Sequence, residues 1–308
     1  MAGILLLGGN GQVGFELLRH LAPLAPVHAA TRSGRLPAGA PCLSVDLAQP
    51  GSAADAIAQV QPSVIVNAAA YTAVDRAEDE IELAQRINGQ ALAEIGAGAR
   101  EHSALVVHYS TDYVFPGDAD TPYGEHDATG PVSSYGASKL AGEQALAASG
   151  AEHMIFRTAW VYAARGHNFL RTMLRLAAER EQLSVVDDQL GSPTPAWLIA
   201  AASAQAIARW RHAEPGARAG LQGIWHLTSS GHTSWHGFAR AIFERAADTG
   251  LLARIPQLAA IGSDQFPTRA KRPAWSVLDN QRFCRHFGLH LPPWQEGLDQ
   301  VLMELAEC

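Results

Sequence analysis

Tyr135 and Lys139 sit four residues apart in Tyr135-Gly136-Ala137-Ser138-Lys139. That spacing puts both side chains on one face of a helix. A phenol titrates near ~10 and is a poor acid or base at neutral pH unless a cation stabilises its phenolate. Lys139 is one of only two lysines in the chain, beside six tyrosines, so chance pairing at this spacing is expected about 4% of the time. Together they make a proton donor for an oxygen that develops negative charge, as a carbonyl does on reduction. Such a carbonyl needs a second hydrogen-bond donor. Ser110-Thr111-Asp112-Tyr113 follows the apolar run Leu105–His108, at a strand end where open α/β sheets hold ligands. Ser110 or Thr111 could supply that donor, and an ordinary strand-end turn would use the same residues.

A second constellation lies at the start of the chain. Gly8, Gly11 and Gly14, in Gly8-Gly9-Asn10-Gly11-Gln12-Val13-Gly14, follow the apolar run Ile4–Leu7 and open a helix. Glycines there allow a tight turn and let backbone N–H groups approach a pyrophosphate at a helix N-terminus. The segment Ala29-Ala30-Thr31-Arg32-Ser33 ends the next strand with an arginine and no carboxylate. An arginine accommodates a ribose 2′-phosphate, so NADPH is favoured, with NADH acceptance left open. Asp46 and Leu47 could bracket an adenine, or Asp46 could simply cap a turn.

Other residues carry weaker signals. His232/His236 and His286/His290 have metal-ligand spacing but no third ligand nearby, and read as surface or packing histidines. No metal site is expected. Trp160 and Tyr162 follow the run Ile155–Arg157 and could line a pocket or pack a core. Arg269, Lys271 and Arg272 form a basic cluster in an acidic chain, suited to a substrate diphosphate or to solvent.

Apolar runs at 4–7, 27–30, 43–45, 64–67, 105–108 and 155–157 alternate with helical patterns at 12–21, 53–60, 80–100 and 134–147. This alternation predicts a doubly wound, parallel α/β Rossmann sheet. After residue 165, helices at 169–181 and 196–211 and strands at 183–186 and 223–228 are less regular. The expectation is a dinucleotide-binding domain over 1–165 and a smaller mixed α/β substrate lobe over 166–308. Strands near 183–187 and 223–228 are expected to return to the first sheet. A net charge of −7 argues against a nucleic-acid face. No apolar run approaches the ~18–20 residues of a membrane helix. Three scattered cysteines, Cys42, Cys284 and Cys308, and an N-terminus without a charged leader point to a cytoplasmic protein.

Several segments together resemble the dTDP-4-dehydrorhamnose reductases, a branch of the extended short-chain dehydrogenase/reductase superfamily. They are the glycine loop, Asn67–Asp75 (NAAAYTAVD), Ser110–Phe115 (STDYVF), Tyr135–Glu143 (YGASKLAGE), Arg157–Tyr162 (RTAWVY), Asp187–Thr194 (DDQLGSPT) and Arg272–Leu278 (RPAWSVL). The likeness runs nearly end to end. It implies reduction of the C4 ketone of dTDP-6-deoxy-L-lyxo-4-hexulose to dTDP-L-rhamnose by NAD(P)H, the last step of dTDP-L-rhamnose biosynthesis. In that scheme Gly11, Gln12 and Val13 hold the pyrophosphate, Asp46 and Leu47 flank the adenine, and Ala69, Ala70, Tyr71 and Thr72 line the cofactor. Lys139 binds the nicotinamide ribose, Tyr135 protonates the alkoxide, Thr111 hydrogen-bonds it, and Asp112 and Trp160 contact the sugar. Some relatives hold Mg2+ with glutamates at a homodimer interface. Here Glu16 and Glu304 match, but Trp197 replaces the third glutamate, which puts a magnesium-linked dimer in doubt. The rival readings are a nucleotide-sugar epimerase or dehydratase of the same superfamily, and a non-catalytic binding subunit like that of methionine adenosyltransferase.

Overall fold

Strand Ile4–Leu7 has four apolar residues in a row because both its faces are covered. Ile4 and Leu6 point into one cluster, against Leu17 and Leu21 of helix Gln12–Leu21 and Leu198 to Trp210 of helix Ala196–His212. Leu5 and Leu7 point into another, against helices Ser52–Val60 and Ala91–Glu101. The same alternation repeats in Val64–Asn67, Leu105–Thr111 and His153–Thr158, as a period of two requires. The computed structural model describes residues 3–307. Met1, Ala2 and Cys308, which enter the leader and cysteine readings, lie outside them.

Seven strands form one all-parallel sheet. Their spatial order is Gly223–His226, His153–Thr158, Leu105–Thr111, Val64–Asn67, Ile4–Leu7, Val27–Thr31, Leu43–Ser44. The chain winds one way from Ile4–Leu7 through Val27–Thr31, then the other way from Val64–Asn67 onward. This reversal opens a crevice beyond the strand C-termini, where such sheets bind ligands.

Two expectations need correction. Strand Gly223–His226 does join the sheet, beside His153–Thr158, but the one near 183–187 does not. Gln182–Val186 pairs in parallel with Gln257–Ile261 in a separate two-stranded sheet. It packs Leu183 and Val185 against Leu170, Phe238 and Phe243, the core of a second lobe. The expected helix over 80–100 is also interrupted. Ile81–Gln85 passes into a π-helical turn, Arg86–Gln90, before Ala91–Glu101. Asn88, inside that turn, is buried.

Asn88 explains part of the pattern around Tyr135. Its side chain accepts from Tyr71 N at 2.9 Å and donates to Tyr71 O and to Ser138 Oγ, both at 3.0 Å. Helix Ser134–Ala148 starts where Ser133 Oγ caps Gly136 N, and Glu78 accepts from both Ser134 N and Ser134 Oγ. A Cβ at Gly136 would lie 2.2 Å from Tyr113 O, and one at Gly142 would lie 2.0 Å from Asn88 O. Gly142→Ala therefore forces the helix off Asn88. We expect it to lower stability by about 1–3 kcal/mol, the usual cost of overpacking, measured as a urea midpoint shift. An unchanged midpoint would show that the helix can move without penalty.

Candidate active site

The crevice is a cleft of about 920 Å³. At one end stands the glycine loop. Gly8 has φ +85°, which glycine adopts without strain, and its N–H donates to Ala30 O at 2.9 Å. A Cβ at Gly14 would lie 2.0 Å from Gly8 O, so Gly14 lets the loop fold onto the helix. The first turn of helix Gln12–Leu21 carries no acidic side chain. Its unpaired N–H groups therefore present an uncompensated positive helix end. Gln12 is steadied by Asn168, whose Nδ2 donates to Gln12 Oε1 at 2.7 Å.

Of the residues expected from the sequence, the cleft wall brings together Gly8, Gly11, Gln12, Val13, Arg32, Asp46, Leu47, Ala69, Ala70, Thr72, Thr111, Asp112, Tyr135, Lys139 and Trp160. Gly14 and Tyr71 do not line it. Tyr71 turns its phenol to Glu80 Oε2 at 2.7 Å, while Asn88 clasps its backbone. Asp46 Oδ1 accepts from Ala48 N at 3.0 Å, as in the turn-capping reading, and the residue lines the cleft. The Arg32 guanidinium is exposed, with no partner among the described residues. In the basic cluster, Arg269 pairs with Asp79, and Arg272 donates to Asp75 Oδ2 at 3.0 Å from the cleft edge.

Tyr135, Thr111, Asp112 and Lys139 lie within this one wall. Thr111 Oγ1 donates to Asp112 Oδ1 at 3.0 Å and is also within hydrogen-bonding reach of the Tyr135 phenol. Burial pushes the Tyr135 phenol up to about 12; the Thr111 hydrogen bond works against that rise and the Asp112 charge adds to it. Tyr135 therefore holds its proton at neutral pH. Lys139 Nζ donates to Tyr109 O at 2.6 Å and stands 3.1 Å from His108 Nε2. Burial lowers Lys139 to about 8, and the Glu143 charge partly restores it. Glu143 in turn accepts two hydrogen bonds from buried Arg157, at 2.9 and 2.6 Å.

Trp160 forms the far wall. Its φ is +48°, a left-handed backbone that costs a bulky residue on the order of 1–3 kcal/mol. The indole stacks flat on Trp235, with centroids 3.5 Å apart. A Cβ at Gly191 would lie 2.4 Å from that ring, so Gly191 is the complement of Trp160. Sequence reading missed Trp235, Phe169, Asn88 and His108. The first three carry no local motif, but His108 had a signal, a polar residue inside an apolar strand.

Among the described residues no group of three His, Cys, Asp or Glu could hold a metal ion. Glu16 is buried against Arg19 at 2.6 Å. His236 lies 3.7 Å from Asp187, and His286 packs on Trp225.

Residues 1–307 match the family model described as the RmlD substrate binding domain. The chain is 46% identical over 307 residues to the dTDP-4-dehydrorhamnose reductases of Shigella flexneri and of Escherichia coli K12, covering 98% of this chain and 97% of each of them. It superposes on the crystal structure of dTDP-4-dehydrorhamnose reductase from Bacillus anthracis in complex with NADP, with a TM-score of 0.85 and 32% identity over 98% of this chain and 99% of that one.

Asp112 provides a test of this geometry. Burial raises its carboxyl to about 6, against the hydrogen bond from Thr111 that pulls it down. The folded protein thus keeps a proton between pH ~4 and ~6 that the unfolded chain has released, and this contribution to stability fades as pH rises through that window. Buried His108 and His226 shift downward and act with the opposite sign, so the readout is a difference between variants. Subtracting the Asp112→Asn stability curve from wild type should leave a fall with rising pH on the order of 3 kcal/mol over that window. A flat difference would mean Asp112 is ionised like an exposed carboxylate.

Proposed function

The chain belongs to the dTDP-4-dehydrorhamnose reductase family, and from that premise we propose how its own residues carry the reaction. The protein is an oxidoreductase that reduces the C4 ketone of dTDP-6-deoxy-L-lyxo-4-hexulose to dTDP-L-rhamnose with NADPH. The residues present fit the nucleotide. The turn at Gly8 and Gly14 leaves a cradle that side chains would fill, the first helical turn is free of acids, and the Arg32 guanidinium is unpaired among the described residues. Gly11, Gln12 and Val13 would take the pyrophosphate, Arg32 the 2′-phosphate, Asp46 and Leu47 the adenine, and Ala69, Ala70 and Thr72 the intervening wall. Bound there, NADPH supplies the hydride that the carbonyl carbon accepts.

The remaining work belongs to the protein. Thr111 and Tyr135 hydroxyls hydrogen-bond the substrate oxygen, and Tyr135 passes its proton to it as charge develops. The Lys139 ammonium stabilises the phenolate left behind and holds the ribose of the cofactor. Asp112, whose Oδ2 is buried without a partner, accepts from a sugar hydroxyl, and Trp160 packs against the ring. The observation that carries this reading is one cleft lined by the glycine loop, Thr111, Tyr135 and Lys139. We assign residues 1–165 mainly to the nucleotide and 166–308 mainly to the substrate. We place the enzyme in the cytoplasm, a setting in keeping with its free Cys42 and Cys284. A homodimer that uses no metal is the assembly we propose, since Trp197 stands where a carboxylate would be needed.

Supplying the ketosugar with NADPH should give stoichiometric loss of reduced-nicotinamide absorbance. Tyr135→Phe should lower kcat by about 10²–10⁴-fold while NADPH binding is retained. Unchanged turnover would remove Tyr135 as proton donor. Arg32→Glu should raise KM for NADPH by about tenfold or more and leave KM for NADH nearly unchanged. Equal effects on both would place the 2′-phosphate elsewhere.

A further inference from the structure

A lysine ammonium has three protons, and in a closed interior each needs an acceptor if the charge is to survive. Lys139 is 2% exposed. Strand Leu105–Thr111 meets two of its protons: Tyr109 O accepts at 2.6 Å, and His108 Nε2 stands 3.1 Å from Nζ. The third is left for the cleft. His108 is buried and is not among the residues that line the cleft. Its Nδ1 faces Asn67, whose Nδ2 is 3.2 Å away and whose backbone favours the protonated ring.

We infer that His108 is a positioning residue: as a neutral imidazole with its proton on Nδ1, it accepts from Lys139 and keeps that lysine charged and aimed into the cleft. The inference rests on the reduction assigned above. Neutrality follows from the surroundings, because burial and the Lys139 charge hold the imidazole well below its ordinary value. The other titratable groups around Lys139 are Tyr135 and Glu143 on its own helix and Asp112 at the end of the strand. Glu143 favours the ammonium, but Arg157 already engages both its oxygens. Among the described residues, His108 is the side chain of this set that stands at hydrogen-bonding distance from Nζ. The opposite arrangement places the ring proton on Nε2 and has Asn67 Nδ2 donate to Nδ1, an orientation favoured by the bond from Ala69 N to Asn67 Oδ1 at 3.2 Å. It sets N–H against N–H unless Lys139 is neutral. Removing the ring lowers the lysine titration in the first arrangement and raises it in the second.

The chain has two lysines, Lys139 and Lys271, so lysine labelled at 13Cε and 15Nζ gives two NMR signals, one of them from an exposed side chain. In the nucleotide-free protein Lys139 should titrate near pH 8. His108→Leu should move it down by about one pH unit or more, and His108→Gln, whose amide oxygen can accept, should recover part of that. The high-pH limb of kcat should fall in parallel, with KM for both substrates within about twofold of wild type. A loss of thermal stability in both variants without movement of Lys139 or of the limb overturns the inference, and so does an upward shift. Should His108→Leu not fold, 15N-histidine spectra of the wild type decide, with the His108 signals assigned by their loss in His108→Gln. Protonated Nδ1 upholds the inference and protonated Nε2 overturns it. Absence of ketosugar reduction by the wild type would remove the assigned reaction, while the lysine titration still judges His108.

Discussion

One buried ammonium group constrains most of this molecule. A lysine taken out of water tends to give up its proton, and the interior around Lys139 pulls it down to about 8. The protein counters with a carbonyl from its central strand, a neutral imidazole, and a carboxylate one helical turn away. The carboxylate is itself buried and survives because Arg157 grips it with two hydrogen bonds. The charge needed in the cleft is therefore sustained by a chain of partners running from Arg157 through Glu143 to Lys139 and on to His108 and Asn67. Strands Val64–Asn67, Leu105–Thr111 and His153–Thr158 and helix Ser134–Ala148 must meet in register for that chain to exist.

The phenol beside it is adapted to the direction of the chemistry. Tyr135 is pushed upward by burial rather than made acidic, which suits a group that must arrive carrying a proton and release it only as the substrate oxygen becomes negative. Thr111 and Asp112 form the polar side of the same wall. Trp160, strained in backbone and fixed between Trp235 and Gly191, forms the apolar side. A wall with a hydroxyl donor and a carboxyl acceptor at one end and a flat ring at the other suits a deoxysugar with both hydroxylated and methylated edges.

Much of this was legible in the residues themselves. Ile4–Leu7 followed by three spaced glycines announced a strand, a tight turn and a helix, and the structure puts Gly8 and Gly14 where a side chain would collide. Tyr135 and Lys139 declared themselves by helical spacing, and the presence of only one other lysine, Lys271, sharpened the signal. What stayed hidden depends on contacts distant in sequence. Strand Gln182–Val186 carries an apolar pattern that suits any partner, and only packing against Leu170 and Phe238 assigns it to the second lobe. The π-turn at Arg86–Gln90 is set by Asn88 reaching Tyr71 and Ser138, which no periodicity encodes. The spacing of Tyr135 and Lys139 could not reveal that His108 and Tyr109, from a strand distant in sequence, also engage the lysine.

A single isotopic experiment bears most directly on the claim that this cleft delivers hydride to a sugar ketone. The protein would be given the dTDP-linked 4-ketosugar and NADPH carrying deuterium on the transferred face of the nicotinamide, and the product examined by mass spectrometry and NMR. The account predicts one deuterium at C4 of the sugar for each nucleotide oxidised. Nucleotide left unspent, or a sugar altered without deuterium at C4, would contradict it.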